Sequence, residues 1–148
     1  MASRVNPLKW FTSTKTHKVI TVMEDQALTT TYSPTTLIST ANFHIVDYKV
    51  TFTQGDIEDL SFKFQWSDKA NPTADDWTDI LKEDDASGTL SLYEISAASG
   101  QWNTLSTGQY SVGVSSPSRG RRSRCCIKAA SGVGTGSSVT VSATLRIN

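Results

Sequence analysis

Two histidines, two adjacent cysteines, a run of aspartates and a cluster of arginines are the residues of this 148-residue chain that could do chemistry. Nucleophilic catalysis needs a base such as His17 or His44 beside a Cys or Ser, with a third group to orient it. Both histidines sit in alternating, strand-like sequence, where a lone imidazole reads as a surface or hydrogen-bonded residue. Cys125 and Cys126 are neighbours, so on a strand their side chains point to opposite faces. They also lack the separation of a C-x-x-C metal clip. They are read as free thiols with one packed in the core, which suits folding in a reducing cytoplasm. Asp68, Asp75, Asp76 and Asp79 could offer oxygens to Ca²⁺, but their spacing departs from the loop that cages this ion. That segment reads as a solvated acidic loop, and no metal site is expected. Arg119, Arg121, Arg122 and Arg124 in "SRGRRSR" could hold phosphates. The formal net charge is zero and no aromatics interleave with the arginines, so nucleic acid is not the expected partner. There is no nucleophile elbow, no H-E-x-x-H and no P-loop. "GVGTG" at 132–136 precedes a strand and reads as a hairpin turn. Neither an enzyme nor a cofactor is expected.

The elements that would carry these residues are strands. In "FHIVDYKVTFTQ", Val46, Tyr48, Val50 and Phe52 fall on one face and Asp47, Lys49, Thr51 and Thr53 on the other. In "DLSFKFQWS", Leu60, Phe62, Phe64 and Trp66 alternate with polar residues. Strict alternation marks a strand with one buried and one wet face. "SVTVSATLRIN", "QYSVGVSS", "GTLSLYEI" and "RCCIKAA" continue the pattern, the last placing Cys125, Ile127 and Ala129 on one row. "HKVITVM" and "ALTTTYS" are β-branched and are also read as strands. Gly-, Pro-, Asp- and Ser-rich turns separate the runs. Pro72, Thr73, Asp75 and Asp76 suit the start of one short helix. The expected fold is all-β, an antiparallel sandwich of about eight strands with at most one short helix. At 148 residues it is one domain, spanning 15–148, long enough to bury roughly 68–70% of its unfolded surface. No run of 18 apolar residues exists to span a membrane, and the N-terminus lacks the apolar stretch of a secretory signal.

The zero net charge hides a basic, acidic, basic layout. Residues 1–18 carry Arg4, Lys9, Lys15 and Lys18 and no acid. Residues 54–85 carry ten acids against three lysines. Residues 119–148 carry six cations and no acid. Such a molecule can meet copies of itself or a charged lattice through complementary patches. Residues 1–14 form an N-terminal arm, in which Leu8, Trp10 and Phe11 stand beside Arg4 and Lys9. The arm either closes an edge of the core or docks on a partner with its large aromatic side chains. The expected partner-binding residues are Arg4, Leu8, Trp10 and Phe11 of the arm, with Arg119, Arg121 and Arg122 of the second basic segment.

Trp66 and Trp77 flank the polar loop "SDKANPTADD". Trp66 ends an inward row and Trp77 is followed by Ile80, so both indoles are expected to close the end of the sandwich. The segment "FKFQWSDKANPTADDWTDIL", followed by the tail "RSRCCIKAASGVGTGSSVTVSATLRIN", resembles small β-sandwich virion proteins of tailed bacteriophages, over roughly residues 44–148. The positions Gln65-Trp66-Ser67-Asp68 and Asp76-Trp77-Thr78-Asp79-Ile80 carry the resemblance. It implies a non-enzymatic virion protein: a capsid decoration or cement protein, a head fibre or a minor tail component. Such a protein is made in the host cytoplasm, sits on the capsid surface, and contacts the major capsid protein, other virion proteins or further copies of itself. A carbohydrate- or receptor-binding module is the alternative. Trp66 and Trp77 separate the two: buried indoles favour a scaffold, and exposed coplanar ones beside Asp76 favour sugar stacking.

Overall fold

The computed structural model describes residues 17–57, 59–83, 90–91, 93–96, 103–129 and 135–147. Its strands are β1 (His17–Gln26), β2 (Ser33–Pro34), β3 (Ile38–Ser39), β4 (Ile45–Thr53), β5 (Asp59–Ser67), β6 (Thr78–Ile80), β7 (Lys82–Glu83), β8 (Leu90–Ser91), β9 (Tyr93–Ser96), β10 (Asn103–Ser106), β11 (Gln109–Pro117), β12 (Arg122–Ala129) and β13 (Ser138–Arg146). Every pairing is antiparallel. One sheet has five strands in the order β1-β13-β4-β11-β10. The other is built on β12 and β5, with β2 and β3 along the free side of β12 and β6 and β9 along the free side of β5. A two-residue ladder joins β7 to β8. The expected sandwich is present. Six long strands carry it, and short segments make up the edges of the second sheet.

The alternation explains the core. Along β4 and β13 every second residue is buried, from Val46 to Phe52 and from Val139 to Leu145. Leu60, Phe62 and Phe64 of β5 and Cys125, Ile127 and Ala129 of β12 supply the facing layer. Tyr48 of one sheet stacks on Phe64 of the other with ring centroids 5.5 Å apart. In β1 the register slips between Thr21 and Met23, so the consecutive Val22 and Met23 are both buried. A bulge lets two neighbours face one side.

Two local expectations change. "ALTTTYS" is not a continuous strand: its last residue, Ser33, pairs with Ile127 of β12, and the Thr29 carbonyl accepts from the Ala129 N–H at 2.9 Å. The Thr29 hydroxyl accepts from the Thr31 N–H at 3.2 Å and donates to the Thr31 carbonyl at 3.2 Å. This local turn competes with a ladder for the same backbone groups. The expected short helix shrinks to a single 3₁₀ turn, Ala74–Asp76. Asp76 takes the Thr73 N–H at 2.8 Å and the Thr73 hydroxyl at 2.9 Å, and Trp77 returns to extended backbone.

Candidate surface on the outer face of the second sheet

The inner row of β12 belongs to the core, so its other row, Arg122, Arg124, Cys126 and Lys128, lies on the outer face. These residues pair across to Ser67, Gln65, Lys63 and Ser61 of β5. Gln65 in turn pairs with Asp79 of β6. The antiparallel register therefore gathers three cations of β12, Lys63 and Asp79 onto one surface. Trp77 reaches the same face because its backbone is extended and it shares the row of Asp79.

Gln65 organises the centre. Its Oε1 accepts from Arg124 Nε at 2.8 Å and from the Cys126 thiol at 3.4 Å, and its Nε2 donates to Asp79 Oδ1 at 2.7 Å. Lys63 pairs with the other Asp79 oxygen at 3.2 Å. The Arg124 guanidinium lies 4.2 Å from the centre of the Trp77 ring. Lys128 and Lys63 sit over the ring of Tyr32, at 4.8 and 5.8 Å. Arg122 Nε donates to the Ala70 carbonyl at 2.9 Å and so ties the acidic loop to the start of β12. Burial pushes the Cys126 thiol up; Arg124 and Lys63 draw it down and Asp79 raises it, with a net rise. Burial also raises the Cys125 thiol, which lies on the core side. Both cysteines are free. A thiol held protonated is a poor nucleophile.

The turn between β11 and β12 carries Arg119 and Arg121, both exposed. Its backbone is fixed: Arg121 N–H donates to Ser67 O at 2.8 Å, Thr40 N–H donates to Arg121 O at 3.2 Å, and the Thr40 hydroxyl donates to Gly120 O at 3.0 Å. Gly120 has φ +62°, and a Cβ there would lie 2.6 Å from Trp66 Cε3 and 2.7 Å from Ser67 O. Arg119, Arg121 and the half-buried Arg122 lie along this turn and the start of β12. Arg4, Leu8, Trp10 and Phe11 lie outside the described residues.

The two tryptophans do not close one end together. Trp66 is half-buried on the inner row and packs on the core. Trp77 is half-buried on the opposite face, beneath Arg124. In the sequence Arg124 stands with the turn arginines, whereas its surroundings, Tyr32, Lys63, Gln65 and Asp79, come from distant segments. The polar row of β5 was visible, but the strand that pairs with it was not. Among the described residues no three His, Cys, Asp or Glu side chains converge on a metal position. No helix among them is long and apolar enough to cross a membrane.

The fold and this surface define an antiparallel two-sheet β-sandwich with a cationic outer face. No family model matches the chain, and no curated protein matches it. Among solved structures, the chain is similar to the SPBc2 prophage-derived protein YomS, with a TM-score of 0.44 and 14% identity, over 87% of this chain and 91% of that one.

Proposed function

We propose that the protein is a non-enzymatic structural component of a phage virion, a decoration or cement protein that binds the outside of the head and stabilises it. The observation that carries this reading is how Trp66 and Trp77 are used. Trp66 packs on the core, and one face of Trp77 is covered by Arg124. Neither indole is a bare platform for a sugar ring, so the loop end reads as scaffold. The exposed Arg119 and Arg121, on a turn whose backbone is bonded to Ser67 and Thr40, offer charge to a capsid surface. The N-terminal arm, with Arg4, Leu8, Trp10 and Phe11, is the second proposed contact, on capsid protein or another virion component.

Two measurements test the reading. The protein should co-purify with assembled capsids in stoichiometric amounts, and its absence from purified particles would end the proposal. Deleting residues 1–14 should leave the melting temperature of the isolated protein nearly unchanged and weaken capsid binding by about thirtyfold, the loss of one interface aromatic worth about 2 kcal/mol. A large drop in melting temperature with binding intact would place the arm in the domain's own core.

A further inference from the structure

The three cations of β12 share an unusual form of support. Arg122 is held by a carbonyl, Arg124 by an amide oxygen and an indole face, and Lys128 by a phenol ring. Their partners are neutral. Among the residues whose side chains are described, the carboxylate of this face is Asp79, and it is taken by Lys63 and Gln65. The cations are therefore fixed in place, and no described side chain supplies them with a carboxylate. Outward residues on a strand repeat about every 6.7 Å, so Arg122 to Lys128 spans about 20 Å. A preordered row of this kind favours a partner that presents several carboxylates, because little side-chain freedom is lost on docking. A single-stranded nucleic acid fits less well. Its bases need open ring faces, and cations already lie over both Trp77 and Tyr32.

The same chain carries such a partner. The loop between β5 and β6 exposes Asp68 and Asp75, and neither is paired within the described residues. It is anchored at the Arg122 end of the cation row, through Ala70. Two copies stacked by their outer faces around a two-fold axis that lies between the faces and perpendicular to β12 run their β12 strands antiparallel. Each loop then lies toward the Lys128 end of the other copy. We infer that this face binds a second copy of the chain, with Asp68 and Asp75 of each loop docking on Arg124 and Lys128 of its partner. The contact is made twice and closes, as an isologous interface does. It also accounts for a zero net charge made of separated patches.

Sedimentation velocity of the full chain tests this without any capsid, so its outcome is separate from that of the proposed function. A dimer is expected at about 0.1 M salt, weakening at least about tenfold by about 1 M, where the Debye length has fallen from about 10 Å to about 3 Å. The double variant Arg124→Glu, Lys128→Glu and the double variant Asp68→Lys, Asp75→Lys should each be monomeric. Mixed in equal amounts, they should form a dimer again. Circular dichroism checks that each is folded; if one is not, Lys128→Gln and Asp75→Asn replace the reversals, with partial loss of dimer expected. A wild-type chain that stays monomeric at low salt overturns the inference. So does a folded variant that still dimerises, or a mixture that does not. Binding of an oligothymidylate rather than a second copy would assign the row to nucleic acid instead.

Discussion

Tyr48 buries its hydroxyl, and that oxygen has no hydrogen-bond partner among the described residues. Burial also pushes its ionisation well up, so the phenol stays neutral. A buried hydroxyl without a partner costs about 1–3 kcal/mol, so removing it while keeping the ring recovers part of that. Tyr48→Phe should leave stability unchanged or raise it by up to about 1 kcal/mol in urea denaturation. A loss of that size would mean that the hydroxyl is satisfied. Phe64, stacked against the same ring, behaves oppositely. Phe64→Ala removes a fully buried aromatic from the sheet-to-sheet contact and should cost about 3–5 kcal/mol. The two thiols offer a third residue-level test. Both are buried and held protonated, so a native chain at neutral pH should alkylate far more slowly than one in denaturant. Equal rates would show that the face around Gln65 opens readily.

At the scale of strands, Asp47 ties its own strand to two neighbours. From β4 it accepts from Arg146 of β13, with Arg146 Nη2 at 3.1 Å, and from Ser115 Oγ of β11 at 2.6 Å. Burial alone would raise its carboxyl, but the bonds from Arg146 and Ser115 and the Arg146 charge outweigh it, and the pKa is lowered. A depressed carboxyl contributes stability above its unfolded pKa and loses it as pH falls through the folded one. Stability should therefore be flat near neutrality and fall below about pH 4. Asp47→Asn should flatten that fall, as read from urea midpoints at several pH values, and an unchanged slope would show that other carboxyls dominate. Gly120 is the second strand-level device. Its φ of +62° and the closeness of Trp66 leave no room for a methyl, so Gly120→Ala should cost at least about 1–3 kcal/mol. The rows of β4, β5, β11, β12 and β13 were legible in the sequence because period-two burial writes itself directly into residue type. Strand partners were not legible. Pairing of β4 with β13 or of β5 with β12 spans long stretches of chain and leaves no local signal. The candidate surface was hidden for the same reason: Arg124, Gln65 and Asp79 are polar residues of three strands, and only their register makes them one site. The threonines of "ALTTTYS" misled because β-branching favours a strand, and here the Thr29 hydroxyl takes both backbone groups of Thr31.

Across the whole molecule one continuous apolar cluster joins the two sheets, from Val22 and Leu28 through Phe62 and Ile127 to Leu145. Sheets that share a core should unfold together, so circular dichroism and tryptophan fluorescence should report the same urea midpoint. Two separated transitions would show that one sheet survives without the other. The order of strands in the five-stranded sheet has a further consequence, for synthesis. β13, the last described strand along the chain, lies in the middle of its sheet, between β1 and β4. A nascent polypeptide that has left the ribosome only as far as residue 137 holds β1 and β4 with nothing between them. Each strand then exposes a ladder edge and an apolar row to whatever chain emerges beside it. Translation must reach the final described strand before either edge is closed. Until then both edges stay open to mispairing with another chain.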